Sequence, residues 1–282
     1  MRLLQTIPDT RAALRPHRLA GQRIGLVPTM GALHEGHLSL VRRAVADCDV
    51  AVASVFVNPL QFGPAEDLDA YPRDLHTDMR LLEQAGVLLV FHPEPWELTP
   101  ADGRTTVSVS GLTSGLEGKS RPGHLAGVTT IVAKLLNVVQ PDRAYFGEKD
   151  FQQLAVVKTM VRDLDLPVQI VACPTVRDAD GVALSSRNRY LTGEQRGQAR
   201  VLAAALREAA ASWDGDATRA RHLLRRRIGD APGVRLDYAE VVDPETLESL
   251  EGVVTGPAQA VVAAFVGATR LIDNCRLEPA RA

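Results

Sequence analysis

Apolar positions along the chain follow two alternating rhythms. Residues 24–29 (I-G-L-V-P-T), 51–57 (A-V-A-S-V-F-V) and 87–91 (V-L-L-V-F) are apolar on successive positions and read as buried strands. Residues 143–146 and 168–172 supply a fourth and a fifth. Between these runs the spacing turns helical. Leu38, Val41 and Val45 share a face within 36–46, Met79, Leu82 and Ala85 within 75–85, and Leu154, Val157 and Val161 within 151–164. Residues 130–139 are apolar almost throughout and predict a buried helix. Strands apolar on both faces need cover on both sides, and strand alternating with helix predicts an α/β fold, a parallel sheet with right-handed crossovers.

The pattern changes near Asp178. Residues 194–213 and 218–228 predict two helices, and 236–242, 258–266 and 270–277 three strands, expected to be antiparallel. Helices followed by strands predict a separate, smaller α+β domain. The expected division is 1–177 and 178–282, with Asp178-Ala179-Asp180-Gly181 as the hinge. No internal repeat or low-complexity tract interrupts it.

Composition narrows the class. With 282 residues, 45% of them hydrophobic and 23% charged, the chain can bury a core without staples. A net charge of -2 gives no bulk positive field for a nucleic acid. The arginine-rich run 219–227 reads as a solvated helix face. Cys48, Cys173 and Cys275 are too scattered for a disulfide framework or a CxxC metal site and fit a reducing compartment. No apolar run reaches the roughly 18 residues of a membrane span, and residues 1–18 lack the apolar block of a signal peptide. The expectation is a soluble, cytoplasmic enzyme with no membrane or nucleic-acid partner.

Three strings carry candidate chemistry. The first, Pro28-Thr29-Met30-Gly31-Ala32-Leu33-His34-Glu35-Gly36-His37, follows a strand and opens a helix. A helix N-terminus at the carboxyl end of a sheet offers N–H groups and a positive dipole end to phosphate. His34 and His37, three apart, share a face and can donate to phosphate oxygens as charge develops. The string is one residue short of the zinc-protease H-E-x-x-H, and two histidines alone make a weak metal site. The alternative is a helix cap with incidental histidines; the paired His and Gly favour phosphate. The second string, Gly147-Glu148-Lys149-Asp150, also follows a strand and opens a helix. Lys149 as a phosphate cation and Asp150 as a plain N-cap are equally good readings of it. The third, Leu184-Ser185-Ser186-Arg187-Asn188, is a compact donor cluster suited to a polyphosphate, or simply a polar loop. Gly118-Lys119-Ser120 imitates the end of a Walker A loop, but Thr113 stands where its first glycine must be.

These strings, with F-V-N-P-L-Q-F at 56–62, Y-P-R at 71–73, R-P-G-H at 121–124, F-G-E-K-D-F-Q-Q at 146–153 and T-R-L-I-D-N at 269–274, resemble the pantothenate synthetase (pantoate–β-alanine ligase) family along nearly the whole chain. The resemblance implies a Rossmann-like nucleotidyltransferase domain with a smaller C-terminal α+β lid domain, usually in a homodimer. It implies ATP, pantoate and β-alanine as substrates, and a pantoyl adenylate as intermediate. Matched by motif, Met30, Gly31, Ala32, Leu33, His34, Glu35, Gly36 and His37 bind ATP, and His37 is the proton donor. Gly147, Glu148, Lys149 and Asp150 hold phosphate, Val176 borders the nucleotide, and Leu184, Ser185, Ser186 and Arg187 clamp the outer phosphates. Gln61 and Gln153 bind pantoate, and Asn58 helps to place β-alanine. Mg2+ bridges phosphate oxygens, with Asp78 the candidate protein ligand. Residues 115–127 are expected to form a mobile lid, with Leu125 where the family often has Phe. Two other functions compete: a nucleotidyltransferase that acts on a phosphorylated acceptor, and a nucleotide-binding scaffold without turnover. Neutral Gln61 and Gln153 favour ligation, since a phosphorylated acceptor would call for cations.

Overall fold

The computed structural model describes residues 1–64 and 66–278. The chain divides into two compact units. The first is Met1–Glu148 with Val156–Pro174, and the second Lys149–Ala155 with the chain from Thr175 onward.

In the first unit the order is β1 (Arg2–Leu4), α1 (Ile7–Leu19), β2 (Ile24–Thr29), α2 (Glu35–Asp47), β3 (Val50–Val55), α3 (Leu75–Gln84), β4 (Leu89–Phe91), α4 (Pro95–Leu98), α5 (Glu117–Ser120), α6 (His124–Val139), β5 (Arg143–Gly147), α7 (Phe151–Asp163) and β6 (Gln169–Cys173). The first residues of α7 belong to the second unit. Among the described residues the strands form one six-stranded parallel sheet in the order β1-β4-β3-β2-β5-β6. This is the Rossmann-like arrangement, and strand order reverses between β2 and β5. Leu26, Val52, Val90, Phe91, Ala144 and Tyr145 are buried to within a few per cent, as strands covered on both faces require. The β2–β3 ladder runs from Ile24 to Thr29. The β2–β5 ladder is confined to Gly25↔Arg143 and Leu26↔Ala144. The carboxyl ends of β2 and β5 therefore leave the sheet unpaired with each other, at the reversal where open α/β sheets take ligands.

Three features of this unit differ from expectation. β1 and α1 carry no clear periodic signal: β1 is three residues long, and α1 accommodates Pro16 and is capped by Thr6, whose hydroxyl accepts from Asp9 N–H. α6 starts at His124, before the apolar run. The segment expected as a mobile lid is packed instead. It contains α5, Leu125 is 2% exposed, and Arg121 is tied to Glu66 and Glu117.

In the second unit, α8 (Gly193–Ala211) and α9 (Ala217–Gly229) precede an antiparallel sheet of β7 (Val234–Val242), β8 (Ala258–Val266) and β9 (Thr269–Leu277), in that order. Thr192 and Gln195 form a capping box at the start of α8. Leu202, Leu206, Leu224 and Ile228 share one core with Val241, Val262, Val266 and Leu277. The arginine run is mostly surface ion pairs, except Arg221, which is 8% exposed and bonded to Glu251. The expected hinge is a pinned turn inside this unit. Gly181 N–H donates to Asp178 O, Asp178 N–H to Val182 O, and Arg196 bonds Asp178 at 2.7 Å and Asp180 at 2.8 Å. The same arginine holds the Asp180 carboxyl below the usual carboxylate range.

Candidate active site

The first unit presents its strongest site where β2 runs into α2. After Thr29 the chain turns through Gly31 (φ +77) and Ala32 (φ +50). Thr29 fixes that turn, donating through its hydroxyl to Ser54 O at 2.7 Å and accepting from Gly31 N–H. Asp78, on α3 and 2% exposed, accepts from the amides of Ala32 (2.9 Å) and Leu33 (2.8 Å), one on each carboxylate oxygen. Gly31 has no room for a side chain: a Cβ there would stand 2.8 Å from Asp78 Oδ2. Asp78 was expected as a magnesium ligand. In the structure its charge shapes the loop: it is a buried carboxylate that accepts one backbone amide on each oxygen. Among the described residues no group of three metal-ligating side chains comes together.

His34 is the N-cap of α2, and its Nδ1 accepts from Gly36 N–H at 3.1 Å. An accepting Nδ1 leaves the proton of the neutral ring on Nε2, so His34 is set as a donor at that atom. His37 lies one turn on, its ring centroid 4.0 Å from that of His34. The two imidazoles thus sit together at a helix N-terminus, where the dipole favours anions. Glu35, between them, is exposed and paired with Arg42 at 3.1 Å, so it offers the site its backbone rather than its carboxylate.

Gln61 lies in a 3₁₀ turn, Pro59–Gln61, that follows β3. Asn58 caps this turn and is 2% exposed. Its Oδ1 accepts from Leu60 N–H at 3.1 Å, and its two amide hydrogens go to Gly127 O (3.1 Å) and Gln61 Oε1 (2.9 Å). Asn58 thus spends both amide hydrogens within the fold and holds the Gln61 amide oxygen; the second lone pair of its Oδ1 is what it keeps for β-alanine, the role expected of it. The Gln61 carbonyl accepts from His124 Nδ1 (2.8 Å) and from Arg121 (3.3 Å). Arg121 also bonds Glu66 at 2.8 Å and meets His124 Nε2 at 3.0 Å. Burial, with the Arg121 charge beside it, pushes the His124 imidazole down to about 4, so it stays neutral. Gly127 of α6 backs directly onto the turn, where a Cβ would fall 2.1 Å from Leu60 O.

The other expected residues lie at the end of β5 and in the second unit. Gly147 ends β5, and Glu148–Asp150 form a 3₁₀ turn in which Lys149 Nζ is 3.8 Å from Asp150. Gln153 is in the first turn of α7. Val176 and Leu184 are brought together, Leu184 N–H donating to Val176 O at 3.0 Å. Ser185 caps a 3₁₀ turn, Ser186–Tyr190, its hydroxyl accepting from Arg187 N–H. The supporting residues Thr29, Glu66, Arg121, His124 and Gly127 were not singled out from chemistry. Arg121 and His124 had a signal, the R-P-G-H string, but no role attached to it.

A Rossmann-like sheet with paired imidazoles on the helix that leaves β2 defines the class, an α/β enzyme fold with its candidate site at the switch point. The chain belongs to the pantoate–β-alanine ligase family, whose model matches residues 2–276. It is 54% identical to the pantothenate synthetase of Acidobacterium capsulatum over 98% of this chain and 97% of that one. The pantothenate synthetase of Thermus thermophilus superposes with a TM-score of 0.92 at 50% identity, covering 99% of this chain and 100% of that one. The pantoate–β-alanine ligase of Francisella tularensis, complexed with β,γ-ATP and β-alanine, gives 0.81 at 33% identity, covering 98% and 97%.

Proposed function

We propose that the chain condenses pantoate with β-alanine using ATP, through a pantoyl adenylate. The pantoate carboxylate attacks the α-phosphorus and pyrophosphate leaves. The β-alanine amine then attacks the acyl carbon and AMP leaves. No enzyme nucleophile is needed, so catalysis is positioning and charge stabilisation. The observation that carries this is the His34–His37 pair, rings 4.0 Å apart, at the helix N-terminus beyond β2. In this reading His34 and His37 donate to the phosphorus centre and the departing pyrophosphate. Met30–His37, Gly147–Asp150 and Val176 are assigned to the nucleotide by motif, and Lys149 to its phosphates. Leu184, Ser185, Ser186 and Arg187 bind the outer phosphates. Gln61 and Gln153 bind pantoate, Gln61 through its amide nitrogen.

Magnesium belongs in this proposal as part of the Mg·ATP substrate; Asp78, which accepts one backbone amide on each oxygen, keeps a lone pair on each for the ion or its waters. A cytoplasmic location and a homodimer complete it. The free thiols Cys48, Cys173 and Cys275 suit a reducing compartment, and the homodimer follows family habit. Among the described residues no helix is long and apolar enough to cross a membrane. The test is exchange of labelled pyrophosphate into ATP without β-alanine. Exchange that requires pantoate supports the adenylate; its absence in an enzyme that still makes product overturns it.

A further inference from the structure

The string T-R-L-I-D-N on β9 has no role in the chemistry above. Its last two residues are buried, Asp273 at 4% and Asn274 at 7% exposed. Asp273 receives the Arg177 guanidinium on both oxygens, at 2.7 and 2.8 Å, and accepts from Asn274 N–H at 2.8 Å. Arg177 also donates to Gly181 O at 3.1 Å, and the bond to Asp273 raises its already high pKa. The strand end, the turn and this half-buried guanidinium thus form one hydrogen-bonded network, of the kind that fixes geometry.

Asn274 carries the network outward. Its Nδ2 donates to the Lys149 carbonyl at 2.9 Å, and its Oδ1 accepts from Gln259 Nε2 at 2.7 Å. The amide orientation is self-consistent: a carbonyl can only accept, so the nitrogen must face Lys149 and the oxygen must face the donor on β8. Gln259 is itself 6% exposed, so the amide is held from behind. Lys149 stands in a three-residue 3₁₀ turn, and it falls in the unit that also carries Leu184–Arg187.

We infer that Asn274 is a positioning residue for Lys149. It fixes the peptide from which the ammonium reaches, and ties that peptide to the β-sheet of the second unit. A four-carbon stem has many rotamers, and its useful reach depends on where its root is held. This inference rests on Lys149 acting on ATP phosphates.

The experiment is a double-mutant cycle on the full-length enzyme, read by pyrophosphate exchange and by the KM for ATP. Asn274→Asp keeps the shape and removes the donor to Lys149. Alone it lowers kcat/KM for ATP by about 10- to 100-fold, the scale of a small misplacement of a reacting group. In a Lys149→Ala background the same change costs less than about threefold, because the residue it acts through is gone. Asn274→Ser, too short to reach the carbonyl, is read in the same cycle and carries the test if the aspartate variant does not fold. Equal losses in both backgrounds would make Asn274 merely structural and overturn the inference. A Lys149→Ala enzyme with near wild-type exchange would instead overturn the phosphate role of Lys149, and the inference with it.

Discussion

Gly127→Ala adds a single methyl group, and the structure says where it must go. The new Cβ would lie 2.1 Å from Leu60 O, 2.4 Å from Leu60 C and 2.7 Å from Gln61 N. Carbon–oxygen contacts settle at roughly 3.3–3.6 Å, so something must retreat by about 1 Å. The helix cannot: Val128, Ile131, Val132 and Leu135 of α6 are all buried. The turn can, since Leu60 is 44% exposed. The displaced element is therefore the backbone of Gln61. A 1 Å misplacement of a substrate-positioning group costs about 100-fold in rate. Overpacking costs about 1–3 kcal/mol, offset by up to about 1 kcal/mol from replacing a helical glycine. A net loss of about 0–3 kcal/mol corresponds to a fall in Tm of up to roughly 12 °C. The assay is pantoate-dependent pyrophosphate exchange with pantoate and ATP varied in turn. The expected result is a folded enzyme whose kcat/KM for pantoate falls about 100-fold while its KM for ATP stays within about threefold. A folded variant with wild-type kcat/KM for pantoate would refute the positioning of Gln61 by α6.

Asp78→Asn keeps the shape but turns an NH2 group against one of the two backbone amides of Ala32 and Leu33; it should cost about 2–3 kcal/mol in urea unfolding and raise the KM for ATP, and a variant as stable as wild type would show that the loop holds itself. His37→Ala removes a donor to developing charge and should lower the exchange rate about 100-fold with little change in Tm; unchanged turnover would remove His37 from catalysis. His124 has a native pKa of about 4, below the ordinary 6.5, because it is buried beside Arg121. The unfolded chain therefore binds the extra proton first, and stability falls as pH drops from about 6.5 to about 4, by about 3 kcal/mol in all from this group. Urea midpoints of wild type and His124→Gln across that range check it: the variant should lose this slope, and identical slopes would contradict it.

The parallel sheet was legible because strands buried on both faces leave unbroken apolar runs, as at Ile24–Thr29 and Val50–Val55. β8 was legible to the residue, since its alanines and valines fill a buried strand end to end. α1 was not, because tertiary packing, not periodicity, overrides Pro16. At the site, His34 and His37 were visible as a pair because three residues on a helix bring rings together locally. Asp78, Asn58 and Asn274 were not readable in role, since each meets a backbone group tens of residues away; Asn58 does so at Gly127 O while it also holds Gln61, three residues on. A carboxylate in a sequence looks the same whether it meets a metal or, as Asp78 does, two amides 45 and 46 positions away. Gly127 and Gly118 likewise reveal their meaning only beside the backbone they touch.

Turnover with pantoate labelled with 18O in its carboxylate follows the bond on which everything else depends. If the carboxylate attacks the α-phosphorus and the amine later attacks the acyl carbon, one labelled oxygen must leave in AMP. Label in AMP that requires both pantoate and β-alanine, and that falls with His37→Ala, is the predicted result. Label in inorganic phosphate or pyrophosphate, with none in AMP, would place the attack on another phosphorus and contradict the adenylate.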